Sequence, residues 1–264
     1  MDLRDVGLWL AARVPLVVAD GLAWLVAWTW WWLVPVRRAV AVDNLTRALP
    51  GVPARPTLTR MMHDIVLGYF ELLQYERGRV VIEMDATAVP PGSLLVAGHG
   101  GSWDLGLVAS ADALPLSIFL RTPTNRWARD RLAALRARHD VGALLPGTTL
   151  DAAYAALEAG RSVFFVQDQR YARGIDSPFF GRPARTSTGL ATAALRTGRP
   201  VYAAWPVRLG RGRHRIQFVA LPLPAPTGDH AADRQAITDQ VNRWYEAQIR
   251  AYPPGWLWLH RRWQ

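Results

Sequence analysis

Between residues 93 and 223, short apolar runs alternate with helix-patterned segments, and this alternation restricts the fold more than any other feature of the chain. "SLLVA", "LSIFLR", "GALLP", "SVFFVQD" and "PVYAAWPVR" are brief, apolar and bounded by turn residues, as strands buried on both faces must be. Between them lie "WDLGLVASADAL", "TNRWARDRLAALRARHD", "TLDAAYAALEAG" and "STGLATAALRTG", all of helical length and pattern. The expected fold class is therefore α/β, with a mostly parallel central sheet flanked by helices. "RVVIEM" begins the strand pattern, and "RIQFVALPL" is expected to pair antiparallel at the sheet edge. "PTLTRMMHDIVLGYFELLQYERG" precedes the sheet as an amphipathic helix, and "HAADRQAITDQVNRWYEAQIRAY" follows it as a long one.

In an open sheet of this kind, ligands gather beyond the carboxyl ends of the strands. His99, Asp168 and Gln169 each come directly after an expected strand, so all three should open onto one edge. His99 sits in "VAGHGGSWDLG", which admits two readings. In one, the glycines make a strand-to-helix turn and Ser102 or Asp104 caps or charges the helix start. In the other, His99 is a general base and Asp104, returning through two glycines, orients its ring. The two are compatible, and the convergence at the sheet edge favours a catalytic pair.

Composition removes several alternatives. The chain has no cysteine and no lysine, so its 31 basic residues are all arginine. Thiolate nucleophiles, cysteine-bound zinc, Schiff-base lysines and the P-loop lysine are excluded. The six histidines show no His-x-x-x-His pair, so no metal site and no cofactor are expected. A serine hydrolase would need a Gly-x-Ser-x-Gly elbow, which does not occur. The net charge of +10 calls for an acidic partner. Nucleic acid is disfavoured, since the arginines are dispersed and no recognition motif is present. A membrane surface suits better, because tryptophan and arginine occur together at both ends. Residues 14–36, "VPLVVADGLAWLVAWTWWWLVPV", read as an interfacial or single-pass helix, dividing the chain into an anchor (1–38) and a catalytic domain (39–264).

"HGGSWDLG" is similar to the His-x-x-x-x-Asp/Glu motif of the bacterial lipid A biosynthesis acyltransferases, within the broader glycerolipid acyltransferase superfamily. Further blocks agree in order. "RAVAVDNLTRALPG" resembles the N-terminal block of that family, and "LRTPTNRW" its second block, where an arginine precedes an asparagine. "VFFVQDQRYARGIDSPFFGRPARTSTGLATAALRTGRPV" and "PPGWLWLHRRW" resemble its later ones. The resemblance implies an enzyme on the cytoplasmic face of the inner membrane. It would move a fatty acyl chain from an acyl carrier protein, or CoA, thioester to a hydroxyl of a glycolipid or lysolipid. His99 would be the base and Asp104 its orienting carboxylate. Arg121, Asn125, Asp168, Gln169, Asp176 and the Phe179-Phe180-Gly181 turn would line the substrate site. The glycine-rich turn would offer amides to an oxyanion, the two phenylalanines would border an acyl tunnel, and "LHRRW" would anchor at the interface. Alternative readings are a thioester hydrolase using the same pair and a non-catalytic lipid-binding protein. The Asp-Gln block continues as "RYARG", a departure that leaves the acceptor open.

Overall fold

The computed structural model describes residues 3–119, 125–144 and 149–263. Among these, four helices come first: α1 (Leu3–Ala11), α2 (Leu16–Trp32), α3 (Arg38–Ala48) and α4 (Ala54–Tyr75). The alternating region follows with β1 (Val81–Asp85), β2 (Leu94–Ala97), α5 (Trp103–Ala113), β3 (Leu116–Phe119), α6 (Arg126–Arg138), β4 (Val141–Leu144), α7 (Asp151–Glu158) and β5 (Ser162–Val166). A hairpin of β6 (Ile175–Phe179) and β7 (Arg182–Thr186) precedes α8 (Gly189–Thr197), β8 (Val201–Gly210), β9 (Arg213–Ala220) and α9 (His230–Ala251).

Seven strands form one sheet in the order β1-β9-β8-β2-β5-β3-β4, and every neighbouring pair is parallel except β8 and β9. The central strands are covered on both faces. Leu94, Val96, Val163 and Phe165 pack with α8 and α9 residues such as Leu190, Val241 and Tyr245. Leu95 and Phe164, one step along the same strands, pack with Leu107 of α5. Alternate residues on opposite faces, all apolar, are what make these strands read as unbroken hydrophobic runs.

The edge differs from expectation. β9 pairs antiparallel with β8, but β1 lies outside it, in parallel register from Val81 opposite Arg213 to Asp85 opposite Gln217. β1 carries the features of an edge strand: it is mostly half-exposed, and Glu83 forms ion pairs with Arg213 at 3.0 Å and Arg215 at 2.7 Å. The β6–β7 hairpin, which forms its own two-stranded sheet, carries no alternation strong enough to announce it.

The N-terminal apolar segment is broken. α1 and α2 meet at a bend of 119°, and among the described residues no single helix is long and apolar enough to cross a membrane. Pro15 precedes α2, where its missing N–H costs nothing. A stripe of Ala19, Ala23 and Ala27, fully buried, lets α2 lie close along α4. Asp20, the charge inside the apolar run, reaches His63 of α4 at 3.1 Å and Arg211 at 3.1 Å. The opposite side of α2 leaves Val17, Leu25, Trp28 and Trp32 exposed, while Trp30 turns inward and donates to the Val36 carbonyl.

Candidate functional site

β2 and β5 are adjacent and parallel, with Ala97 opposite Val166. Two residues beyond each strand end, the chains therefore bring His99 and Asp168 face to face. His99 Nδ1 lies 2.9 Å from Asp168 Oδ1, and the His99 backbone N–H donates to Oδ2 at 2.8 Å. Asp168 is fully buried, and Trp256 Nε1 also donates to Oδ2 at 2.8 Å. Both fixed donors thus converge on one carboxylate oxygen and leave the other for the ring. His99 Nε2 has no protein partner among the described residues.

The turn between β2 and α5 can take this path only because it is glycine-rich. A Cβ on Gly98 would stand 2.8 Å from the Trp205 ring and 3.0 Å from that of Tyr245, and Gly101 holds a φ of +57° beside the Pro206 carbonyl. The C-terminal segment closes over the turn: Gly101 N–H donates to Gly255 O at 2.6 Å and Leu257 N–H to His99 O at 3.1 Å. Two of the turn's amides, those of His99 and Gly101, are therefore already engaged. The Gly100 amide has no partner among the described residues.

Burial acts against a charged His99, but the charge and hydrogen bond of Asp168, with a smaller contribution from Asp104, outweigh it and raise its pKa. For Asp168 burial favours the neutral acid, yet His99, the Trp256 indole and the backbone bond together hold its pKa below the usual carboxylate range. The two shifts have one cause, an imidazolium–carboxylate pair out of water.

Asp104, expected beneath His99, lies elsewhere. It occupies the first turn of α5, 3.9 Å from Arg136 of α6, and burial pushes its carboxyl up to about 6 despite the opposing charges of Arg136 and His99. It feels the charge of His99 without being its hydrogen-bond partner.

Two cavities meet at Trp103, and one of them is lined by His99. A cleft of about 140 Å³ is lined by His99, Gly101, Trp103, Asp64, Tyr69 and Trp256. A narrow apolar crevice, with a cavity volume of about 30 Å³, runs from Gly98 and Trp103 between α5 and the sheet, past Gly106 and Leu107 to Ser110, Ile118 and Phe164. Trp103 borders both, its ring 5.1 Å from that of His99.

Other expected site residues are dispersed. Gln169 is half-buried beside Asp168. Arg121 lies outside the described residues. Asn125 is exposed, in a shallow cleft with Trp127 and Asp130 that shares no residue with the His99 cleft. Asp176 sits on β6 with an exposed side chain 3.8 Å from Arg185. Phe179 is fully buried in an aromatic cluster, 5.6 Å from Trp256 and 5.5 Å from Trp263, and lines neither cavity. Phe180 and Gly181 form the left-handed hairpin turn, with φ of 52° and 71°, fixed by Phe180 N–H on Glu246. The hairpin thus buttresses Trp256 from behind.

Trp256 and Tyr245 are the residues that sequence reasoning passed over. Tyr245 O–H donates to the Ala97 carbonyl at 2.6 Å, fixing the end of β2. Trp256 stands in "PPGWLWLHRRW", which the sequence marks only as a family block, with its last five residues, "LHRRW", expected to anchor at the interface. The structure instead buries Trp256, Trp258 and Arg262 almost completely. Nothing short of the tertiary fold places Trp256 on Asp168, 88 residues away in the chain.

Comparison with curated proteins gives no match. A sequence model of the bacterial lipid A biosynthesis acyltransferases matches residues 84–264, well over half of the chain and all of the sheet beyond β1 together with the His99 site. The chain belongs to the bacterial lipid A biosynthesis acyltransferase family.

Proposed function

We propose that this protein transfers a fatty acyl group from a thioester, carried by acyl carrier protein or CoA, to a hydroxyl of a glycolipid at the cytoplasmic face of the inner membrane. The observation that supports it most is the His99–Asp168 pair, with Nε2 left open toward a cleft and an apolar crevice alongside. The acyl chain follows the narrow apolar crevice, which must widen between α5 and the sheet to admit it, and each methylene buried there contributes about 0.8 kcal/mol. The acceptor hydroxyl approaches through the cleft. His99 Nε2 takes its proton as the oxygen attacks the thioester carbonyl, and Asp168 stabilises the imidazolium that forms. The Gly100 amide and the start of α5 donate to the tetrahedral oxyanion. Collapse expels the thiolate, which takes the proton back from His99, leaving ester and thiol.

No acyl-enzyme is needed. The chain has no cysteine, and Ser102 is buried with its hydroxyl accepting from Arg208 at 3.1 Å. The exposed apolar face of α2, followed by Arg37 and Arg38, suits insertion into the headgroup region of an anionic leaflet.

One experiment tests transfer and docking together. Purified protein is mixed with acyl carrier protein thioesters and vesicles of a total bacterial lipid extract. Sedimentation with the vesicles, weakened by salt, and a lipid heavier by one acyl group in the mass spectrum are expected. Free fatty acid as the sole product would replace the transferase with the hydrolase reading, and no product at all would favour lipid binding alone.

The pH dependence follows from the pair. Neutral His99 is the active form, and its pKa is raised above the ordinary 6.5. The acid limb of kcat/KM is therefore expected above pH 6.5, with activity rising as the proton leaves. A limb below that value in the pH–rate profile would contradict the assignment. The stability contributions have opposite senses. That of His99 is complete below 6.5 and lost as pH rises through its raised pKa, whereas that of Asp168 is lost as pH falls through its lowered one.

A further inference from the structure

Behind the His99 turn lies a buried charged cluster that the mechanism above does not use. Glu71 of α4 is fully buried, and its Oε1 receives Arg208 Nη1 at 2.5 Å and the Gly212 N–H at 2.8 Å. Its Oε2 lies 3.0 Å from His214 Nε2. Arg208, on β8 with its side chain 5% exposed, extends the cluster toward the site. Its Nη2 donates to Ser102 Oγ at 3.1 Å and to the Asp64 carbonyl at 3.2 Å.

Both ends of this fork belong to the site. Ser102 joins the glycines of the His99 turn to α5, and Asp64 lines the His99 cleft. Helix α4 comes so near that a Cβ on Gly68 would stand 2.7 Å from Ser102 Oγ. A buried ion pair of this kind seldom adds net stability over apolar residues of the same volume, so what it contributes is geometry. A guanidinium is the one side chain that can hold a carboxylate, a carbonyl and a hydroxyl in fixed directions at once.

We propose that Arg208, oriented by Glu71 and His214, is a positioning residue: it clamps Ser102 against α4 and so holds the Gly100–Trp103 turn in register with the acyl carbonyl. The inference rests on the transfer reaction assigned to His99. It concerns a contact that neither substrate touches, so its effect falls on kcat and not on thioester binding.

The test uses the full chain with Ser102→Ala, Arg208→Lys and the double variant, measuring steady-state kinetics, melting temperature and amide exchange. Ser102→Ala removes only the last contact. Arg208→Lys keeps the charge on Glu71, but a single ammonium cannot span all three acceptors. Each is expected to lower kcat about tenfold, the size of one lost charge-assisted hydrogen bond, with the thioester KM unchanged. The double variant should fall no further than Arg208→Lys alone, and exchange at the Gly101 amide should quicken in all three. A purely structural role would instead lower the melting temperature and leave kcat per folded molecule intact. Wild-type kcat in Ser102→Ala, additive losses in the double variant, or unchanged Gly101 exchange would each overturn the clamp. If the wild type transfers no acyl group, the reading of His99 fails, and Gly101 exchange by itself decides whether the clamp holds the turn.

Discussion

Replacing His99 with alanine is expected to lower turnover by about 10²- to 10⁴-fold, the range spanned by loss of a positioned general base. The loss appears in kcat and kcat/KM alike, because proton removal occurs only as the acceptor attacks. Donor affinity is expected to be nearly unchanged, since the crevice between α5 and the sheet that we propose for the alkyl chain is not lined by His99. The substitution leaves Asp168 with two donors, the Trp256 indole and the backbone N–H at position 99, so its charge keeps partial compensation. Circular dichroism and a melting curve separate loss of the base from loss of the fold. A folded variant that keeps more than about a tenth of wild-type kcat would remove His99 from the chemistry.

Asp168→Asn is expected to lower kcat by about 10³-fold, for a reason specific to this geometry. Two N–H donors converge on Oδ2, so the asparagine oxygen must take that position and its NH2 group must face His99 Nδ1. Nδ1 then becomes an acceptor and the ring proton moves to Nε2, the atom that has to receive the acceptor's proton. The variant should retain the fold and bind thioester while the base is locked in the wrong tautomer. Asp104→Asn offers the contrast. Its carboxyl is already pushed up to about 6 and bonds neither nitrogen of His99, so a loss of less than about tenfold is expected. Steady-state kinetics of the two variants side by side would decide the matter. If Asp104→Asn proved the more damaging, the His99–Asp168 assignment would be wrong.

These two aspartates show where local spacing misleads. Asp104 lies five residues from His99 in a recognisable motif, and a glycine-rich turn can in principle fold back on itself. The α5 helix nevertheless starts at Trp103, which carries Asp104 around toward Arg136. Asp168 lies 69 residues away, yet β2 and β5 are neighbours in parallel register, and that register fixes the distance. The placement of Asp168 at a strand end was readable from sequence, whereas its partner was not.

The aromatic blocks show the same division. "SPFFG" and "GWLWLHRRW" are recognisable as strings, but a string does not say which side of a site it occupies. Phe179 packs behind Trp256, and Trp256 alone reaches the carboxylate. The C-terminal segment is held in place by Asn44 of α3, whose amide donates to the carbonyls of Trp258 and His260. Contacts between residues more than two hundred positions apart leave no local signature.

What the sequence by itself determined is the part governed by periodicity and turn chemistry. Strand and helix alternation from residue 93, burial of both faces of the central strands and the placement of His99 and Asp168 at strand ends follow from patterns within a few residues, while the family is carried by longer motif blocks. Tertiary structure alone decided the edge position of β1, the break between α1 and α2, the charge pairing of His99 and the Arg208 contacts behind Ser102. These depend on which strands become neighbours and which helices can approach, and that is settled by packing across the whole molecule rather than by any local preference.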